Sequence, residues 1–196
     1  MSVHVIFIFF KREHMTPQHS LVWIDLEMTG LDATKDVILE IATIITDNNL
    51  KVIEKGPALV IHQPEEKLIA MDEWCTQTHK KSGLTNAVRT SIVTLMQAEE
   101  ETLKFIKKHC APKTGILCGN SVWQDRIFLK AYMPRIIDYL HYRLIDVSSV
   151  KELVAQWYPN TPHTTFVKKE SHRAYTDIKE SIAELHHYKK QFFVKN

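Results

Sequence analysis

Glycine is scarce in this sequence, with five residues in 196. No stretch is rich enough in it to wrap a phosphate in backbone amides as a P-loop does. Cysteine is scarcer still, and Cys75, Cys110 and Cys118 form no C-x-x-C pair. An odd number without paired spacing argues against a disulfide framework and a zinc ribbon, and fits a reducing cytoplasm. No apolar run approaches the roughly 20 residues needed to span a bilayer, so no membrane association is expected. An excess of one charge is also missing. The formal net charge is +2, which excludes the strongly basic surface that grips long duplexes by counterion release. A small charged ligand or a short single strand stays compatible with that balance. Repeats, low-complexity tracts and linker-like shifts in composition are absent as well.

What is present is ordinary for a globular chain: 44% hydrophobic and 24% charged residues. The length suits one domain with a sizeable core, residues 20–196. Residues 1–19 stand apart. The run 3–10 (VHVIFIFF) is mostly apolar but short, and Lys11 and Arg12 follow it, whereas a secretory signal has its basic residues in front. The reading is a dispensable leader with translation starting at Met15. An extra edge strand and, last, a targeting segment are the alternatives.

Strand patterns come first. LVWIDLEM, VILEIATIIT (37–46) and KVIEKGPALVIH (51–62) are apolar and rich in β-branched residues, the last reading as two short strands around a Gly-Pro turn. The period then changes. Residues 97–109 (QAEEETLKFIKKH) place Ala98, Thr102, Phe105 and Ile106 on one helical face, acids early and lysines late. A short strand is expected at 114–118 and a helix at 125–133 stopped by Pro134. Another strand follows at 144–147, then a helix from Ser148 or Ser149 to Trp157. A last helix spans 174–192 with Ala174, Ile178, Ile182, Leu185 and Tyr188 on one face. Strands followed by alternating helices and strands indicate an α/β fold with a mixed sheet.

Three clusters carry chemistry. In LVWIDLEMTG, Asp25 and Glu27 lie two apart on a strand and share a face. Two like charges ~4 Å apart repel by about 4 kcal/mol at an effective dielectric of ~20. Either the strand is an edge with a solvated face, or a hard divalent cation with oxygen ligands sits between the acids. GNSVWQD (119–125) follows a strand where open α/β sheets place ligand loops, and puts Asp125 in the first turn of a helix. An acid is comfortable there without any function. HRAYTD (172–177) opens the last helix. Five residues turn a helix by about 500°, so His172 belongs to the preceding loop and Asp177 to the helix. Alone, His172 reads as a surface histidine. His186 and His187 are adjacent on a helix and offer no ligand spacing for a transition metal.

Together, D-x-E, N-S-x-x-Q-D and H-x-x-x-x-D resemble the signature of the DEDDh exonucleases. The wider run DLEMTGLD, ILEIATIITD, MDEWCTQTH, GNSVWQD, YLHYRLIDVSS and DIKESIAELHHY resembles the oligoribonuclease family from about Ser20 onward. The resemblance implies a ribonuclease H-like mixed β-sheet flanked by helices. It implies 3′-5′ hydrolysis of very short RNA, dinucleotides above all, to nucleoside 5′-monophosphates. Asp25, Glu27, Asp125 and Asp177 would hold two Mg²⁺ or Mn²⁺ ions, ~3.5–4 Å apart in such sites, and His172 would be the general base. Leu31 would be the wedge between the two bases and Trp74 a stacking platform, although alone Trp74 reads as core. His79, Ser121, Gln124 and Ser148 would lie near the phosphates. Tyr142 and Arg143 would reach the other subunit's site in a homodimer and cap the substrate's 5′ phosphate. Two departures stand out: Trp123, where relatives carry a small residue, and the stretch 159–171, whose length bears on the reach of His172. The runner-up is a DEDDh exonuclease of proofreading or ribonuclease T type acting on longer DNA or RNA ends. A catalytically dead RNA-binding module is disfavoured because all four acids and His172 are present.

Overall fold

The structure, a computed structural model, describes residues 20–168 and 172–193. The leader expected at 1–19 lies outside the described residues. Five strands, β1 (Leu21–Met28), β2 (Ile38–Thr46), β3 (Val52–Val60), β4 (Ile116–Gly119) and β5 (Leu144–Asp146), form one sheet in the order β3-β2-β1-β4-β5. β1 pairs antiparallel with β2 and parallel with β4, so the sheet is mixed, as expected. Helices flank it: α1 (Glu65–Ile69), α2 (Glu73–Lys81), α3 (Leu84–Thr90), α4 (Leu95–His109), α5 (Val122–Tyr132), α6 (Pro134–Tyr139), α7 (Val147–Trp157) and α8 (Ala174–Phe192). No described helix is long and apolar enough to cross a membrane.

Alternation along β1 splits the core into two layers. Val22, Ile24 and Leu26 pack with Ile41 and Ile45 against Ile106 of α4, Phe128 and Leu129 of α5 and Ile136 of α6. Leu21 and Trp23 face the other way, with Ala42 and Ile44, onto Ile178, Ile182 and Tyr188 of α8. Each such side chain, fully buried, contributes about 1.5–3 kcal/mol. The indole N–H of the fully buried Trp23 donates to Thr46 Oγ1 at 3.0 Å, which removes the penalty of burying it unpaired. A third cluster joins Val37 and Leu39 to Leu68, Met71, Cys75, Leu84 and Val88 of the helical segment 65–90.

Two expectations need correction. Residues 51–62 do not turn at Gly56-Pro57; β3 runs through them. Ala42 pairs with Ala58 and Ile44 with Lys55, so β3 holds one extra residue there. A bulge on an edge strand tolerates proline, which has no N–H for the ladder. Gly56 is needed because the Phe105 ring of α4 packs over it, 2.4 Å from where a Cβ would stand. Helix α5 starts at Val122 rather than Asp125, and it ends at Tyr132, stopped just before Pro134 as expected. Pro134 in turn opens α6 at its first position, where its missing N–H costs nothing. The segment 63–94, for which the sequence pattern suggested no element, holds α1 to α3. The side chain of Asp72 caps α2 by accepting from the Cys75 amide at 2.7 Å.

Candidate active site

The alternation that buries Trp23 toward α8 sends Asp25 and Glu27 to the same face. β1 is the central strand, so the reading of a solvated edge fails. Asp177, in the first turn of α8, comes down on that face, held by its amide bond to Arg173 O at 3.1 Å. Carboxylate oxygens of Asp25, Glu27 and Asp177 lie within 4.8 Å of one another, the group of acids among the described residues that could hold a metal ion. Ala42 stands opposite Asp25 in the ladder and leaves it room.

Asp125 arrives from the other side of β1. The β1–β4 ladder runs only to Trp23 and Cys118. Beyond it, the Leu26 amide donates to Asp125 Oδ1 at 2.9 Å. Gly119 allows the approach: a Cβ there would meet Ile24 O at 3.1 Å. Asp125 thus stands outside the tightest group of three, but close enough to repel the Asp25 charge.

Electrostatics follow from this crowding. Burial, then Asp125, Glu27, Asp177 and Glu40, hold the Asp25 carboxyl well above its ordinary range. Burial and the charges of Asp177, Glu40 and Asp125 push Glu27 up to about 8, and burial pushes Asp125 up to about 8. An all-oxygen donor set with excess negative charge fits a hard divalent cation, which would favour the ionised forms of these acids.

A pH effect follows. In unfolded chain these carboxyls titrate near ~4. Folding with raised values therefore takes up protons, and the stability they contribute is full below ~4 and is lost as pH rises through about 8. His79, lowered by burial, acts in the opposite sense, but only below its unfolded value near ~6.5. Between about pH 7 and 8 in a chelator, the melting temperature should therefore fall. Mg²⁺ or Mn²⁺ should raise it more at the upper pH. A flat melting temperature across this interval, with no metal effect, would contradict the assembled cluster.

Of the remaining expected residues, Leu31, Trp74 and His79 line a cleft of about 830 Å³ together with Glu27. Trp74 is 62% exposed and Leu31 73%, so neither is core. The Leu31 loop is braced by Gln124, whose Nε2 donates to Leu31 O at 2.6 Å. It is braced also by Asp36, which accepts from Thr29 Oγ1 and the Asp32 amide. His172 lies just before α8, with its ring edge-on to Trp74 at 5.6 Å. Its backbone is left-handed, with φ of 48°. His79 is buried on α2, its Nε2 donating to Met28 O at 2.9 Å and its Nδ1 3.8 Å from Glu27 Oε2. It therefore grips the end of β1. Ser121 and Ser148 bond each other beyond β4, the Ser121 amide donating to Ser148 Oγ at 2.9 Å. Tyr142 and Arg143 do not line the cleft; Tyr142 is 66% exposed, with the Arg143 guanidinium over its ring at 5.3 Å. Trp123 is exposed and also absent from the cleft lining.

Two features were missed in the sequence. Glu40 of β2 stands opposite Glu27 in the ladder, almost fully buried, and binds Arg173. A lone charge inside VILEIATIIT was the available signal. Asn120 donates to Ser181 Oγ at 2.8 Å and Glu184 Oε2 at 3.0 Å, tying the GNS loop to α8. Nothing in spacing alone connects residues so far apart.

A central D-x-E strand, a carboxylate at the head of α5 and an acid on the last helix are the frame of an exonuclease. The exonuclease family model RNase_T matches residues 22–185. The chain is 51% identical over 178 residues to the oligoribonuclease of Pseudomonas aeruginosa, covering 91% of this chain and 98% of that one. It is also 51% identical over 175 residues to the mitochondrial oligoribonuclease of Homo sapiens, covering 89% and 74%. The chain therefore belongs to the oligoribonucleases, and it is a metal-dependent exoribonuclease. The runner-up, a proofreading or ribonuclease T type of enzyme, is not favoured by this similarity. The fold is shared more widely. E. coli exonuclease I in complex with a 5cy-dT13 oligonucleotide superposes with a TM-score of 0.68 at 14% identity, over 89% of this chain and 41% of that one. Exonuclease I from Methylocaldum szegediense gives 0.61 at 16% identity, over 89% and 41%. This chain spans about two fifths of those structures.

Proposed function

We propose that the chain hydrolyses very short single-stranded RNA, dinucleotides above all, from the 3′ end to nucleoside 5′-monophosphates. The observation that carries this reading is the cleft itself. Exposed Leu31 and Trp74 line it together with Glu27, and it is of a size suited to a small ligand rather than a long strand. Asp25, Glu27, Asp125 and Asp177 would hold two divalent cations, Mg²⁺ or Mn²⁺, which would supply Lewis acidity and screen the acids from the phosphate. His172 takes the proton of the attacking water. The P–O bond to the upstream 3′ oxygen breaks, that oxygen leaves, and the phosphate stays with the 3′ nucleotide. Leu31 separates the bases and Trp74 stacks on one of them, while His79, Ser121, Gln124 and Ser148 shape the phosphate path.

Tyr142 and Arg143 act on the partner's site in a homodimer and cap the 5′ phosphate. Exposed Trp123 and Ile127 lie one turn apart on α5. Arg126, between them, donates to Tyr142 O, so these apolar side chains and the Tyr-Arg pair share one stretch of surface. An exposed apolar patch of this kind supports a protein interface. The three buried, unpaired cysteines support action in the cytoplasm.

The stacking role is tested with Trp74→Ala. Losing about 1–3 kcal/mol of base stacking should raise KM for a dinucleotide roughly 5- to 150-fold while kcat changes little. An unchanged KM in steady-state kinetics would remove Trp74 from the substrate site.

A further inference from the structure

We propose that Glu40 and Arg173 form a clamp that positions His172 and Asp177 against the acids of β1; this rests on the roles given to those two residues above. Glu40 lies directly across from Glu27 on one face of the sheet, with 2% of its surface exposed. Like charges at such a pair destabilise a sheet, and a buried acid adds a desolvation cost. Stability alone therefore gives no reason for a glutamate here. Its contacts give one. Both Glu40 oxygens accept from the Arg173 guanidinium, at 2.7 Å from Nη2 and 3.1 to 3.2 Å from Nε. Oε2 also accepts the Ala174 amide at 3.1 Å, one of the unpaired donors at the start of α8.

Arg173 is the junction of the site. Its side chain is held by β2, and its carbonyl accepts the amides of Thr176 at 2.8 Å and Asp177 at 3.1 Å. The residue before it is His172, in left-handed backbone that is uncommon for residues other than glycine. The grip on Arg173 thus fixes the base on one side and the acid one helical turn away on the other. Glu27 and Glu40 are ladder neighbours, so the same strand pair that presents the β1 acids also sets the height of α8. Displacement of reacting groups by about 1 Å can cost on the order of 100-fold in rate.

The test uses the full chain with Glu40→Gln and Arg173→Lys, the second keeping the charge but not the two-pronged geometry. Arg173 has a side chain 39% exposed, so its variant carries the test even where Glu40→Gln folds poorly. Steady-state kinetics on a 5′-labelled dinucleotide with Mn²⁺ would be combined with amide hydrogen exchange over residues 172–178. The expected result is a fall in kcat of about 100-fold with KM nearly unchanged, and faster exchange confined to that segment. A clamp that only stabilises the helix end would speed exchange and leave kcat at the wild-type level, which overturns the proposal. His172→Asn and Asp177→Ala run in parallel. If these two keep full kcat, the roles assigned to the site fail; if they lose it while the clamp variants do not, the clamp alone fails.

Discussion

Asp25→Asn should lower turnover of a dinucleotide by about 10³-fold or more and, at the same time, raise the melting temperature of the metal-free protein. The two effects have one cause. Asp25 is pressed by Asp125, Glu27, Asp177 and Glu40 in a half-buried position. As a carboxylate it is repelled; as a carboxylic acid it must take up a proton on folding at neutral pH, which also costs stability. Asparagine avoids both. One unit of lost cation affinity or alignment at a time, the activity has several kcal/mol to lose, and each ~1.4 kcal/mol is tenfold in rate. Initial rates with Mn²⁺ and melts in a chelator check both halves. A variant that keeps activity, or that melts lower without metal, would mean that the acids do not converge as described.

His172→Asn should cut kcat by about 10²- to 10⁴-fold, the range expected for loss of a general base. Asparagine is the informative choice because His172 has φ of 48°, and asparagine tolerates left-handed backbone better than alanine does. The loop keeps its path and only the proton acceptor is lost. KM for the dinucleotide should stay near wild type. The ring of Trp74, edge-on to His172 at 5.6 Å, is the contact through which a residual KM effect would arise. A variant with wild-type kcat would remove His172 from the chemistry.

The parts of the fold that could be read from the sequence are those where one long, strong pattern decides. Helix α8, 19 residues long, was legible because Ala174, Ile178, Ile182, Leu185 and Tyr188 keep helical spacing along it. β1 and β2 were legible from largely apolar runs, interrupted by Asp25, Glu27 and Glu40. Helices α1 to α3 are five to nine residues long, too short for periodicity to rise above its neighbours. The Gly-Pro pair misled because turns and bulges use the same residues, and only the ladder with β2 tells them apart. At the site, residue types and spacing picked out the acids, while Glu40 and Asn120 stayed hidden. Their roles depend on pairing across strands and onto α8, a long-range fact that no local pattern encodes.

The central claim is that this cleft handles RNA a few nucleotides long. Its most direct test is a length series: 5′-labelled RNAs of two, three, five, seven and about twenty nucleotides, cleaved with Mn²⁺ or Mg²⁺ and compared by initial rate. The account predicts fastest cleavage of the dinucleotide and a steep fall with length, relaxed by Tyr142→Ala or Arg143→Ala. Equal or faster degradation of the longest RNA would contradict it.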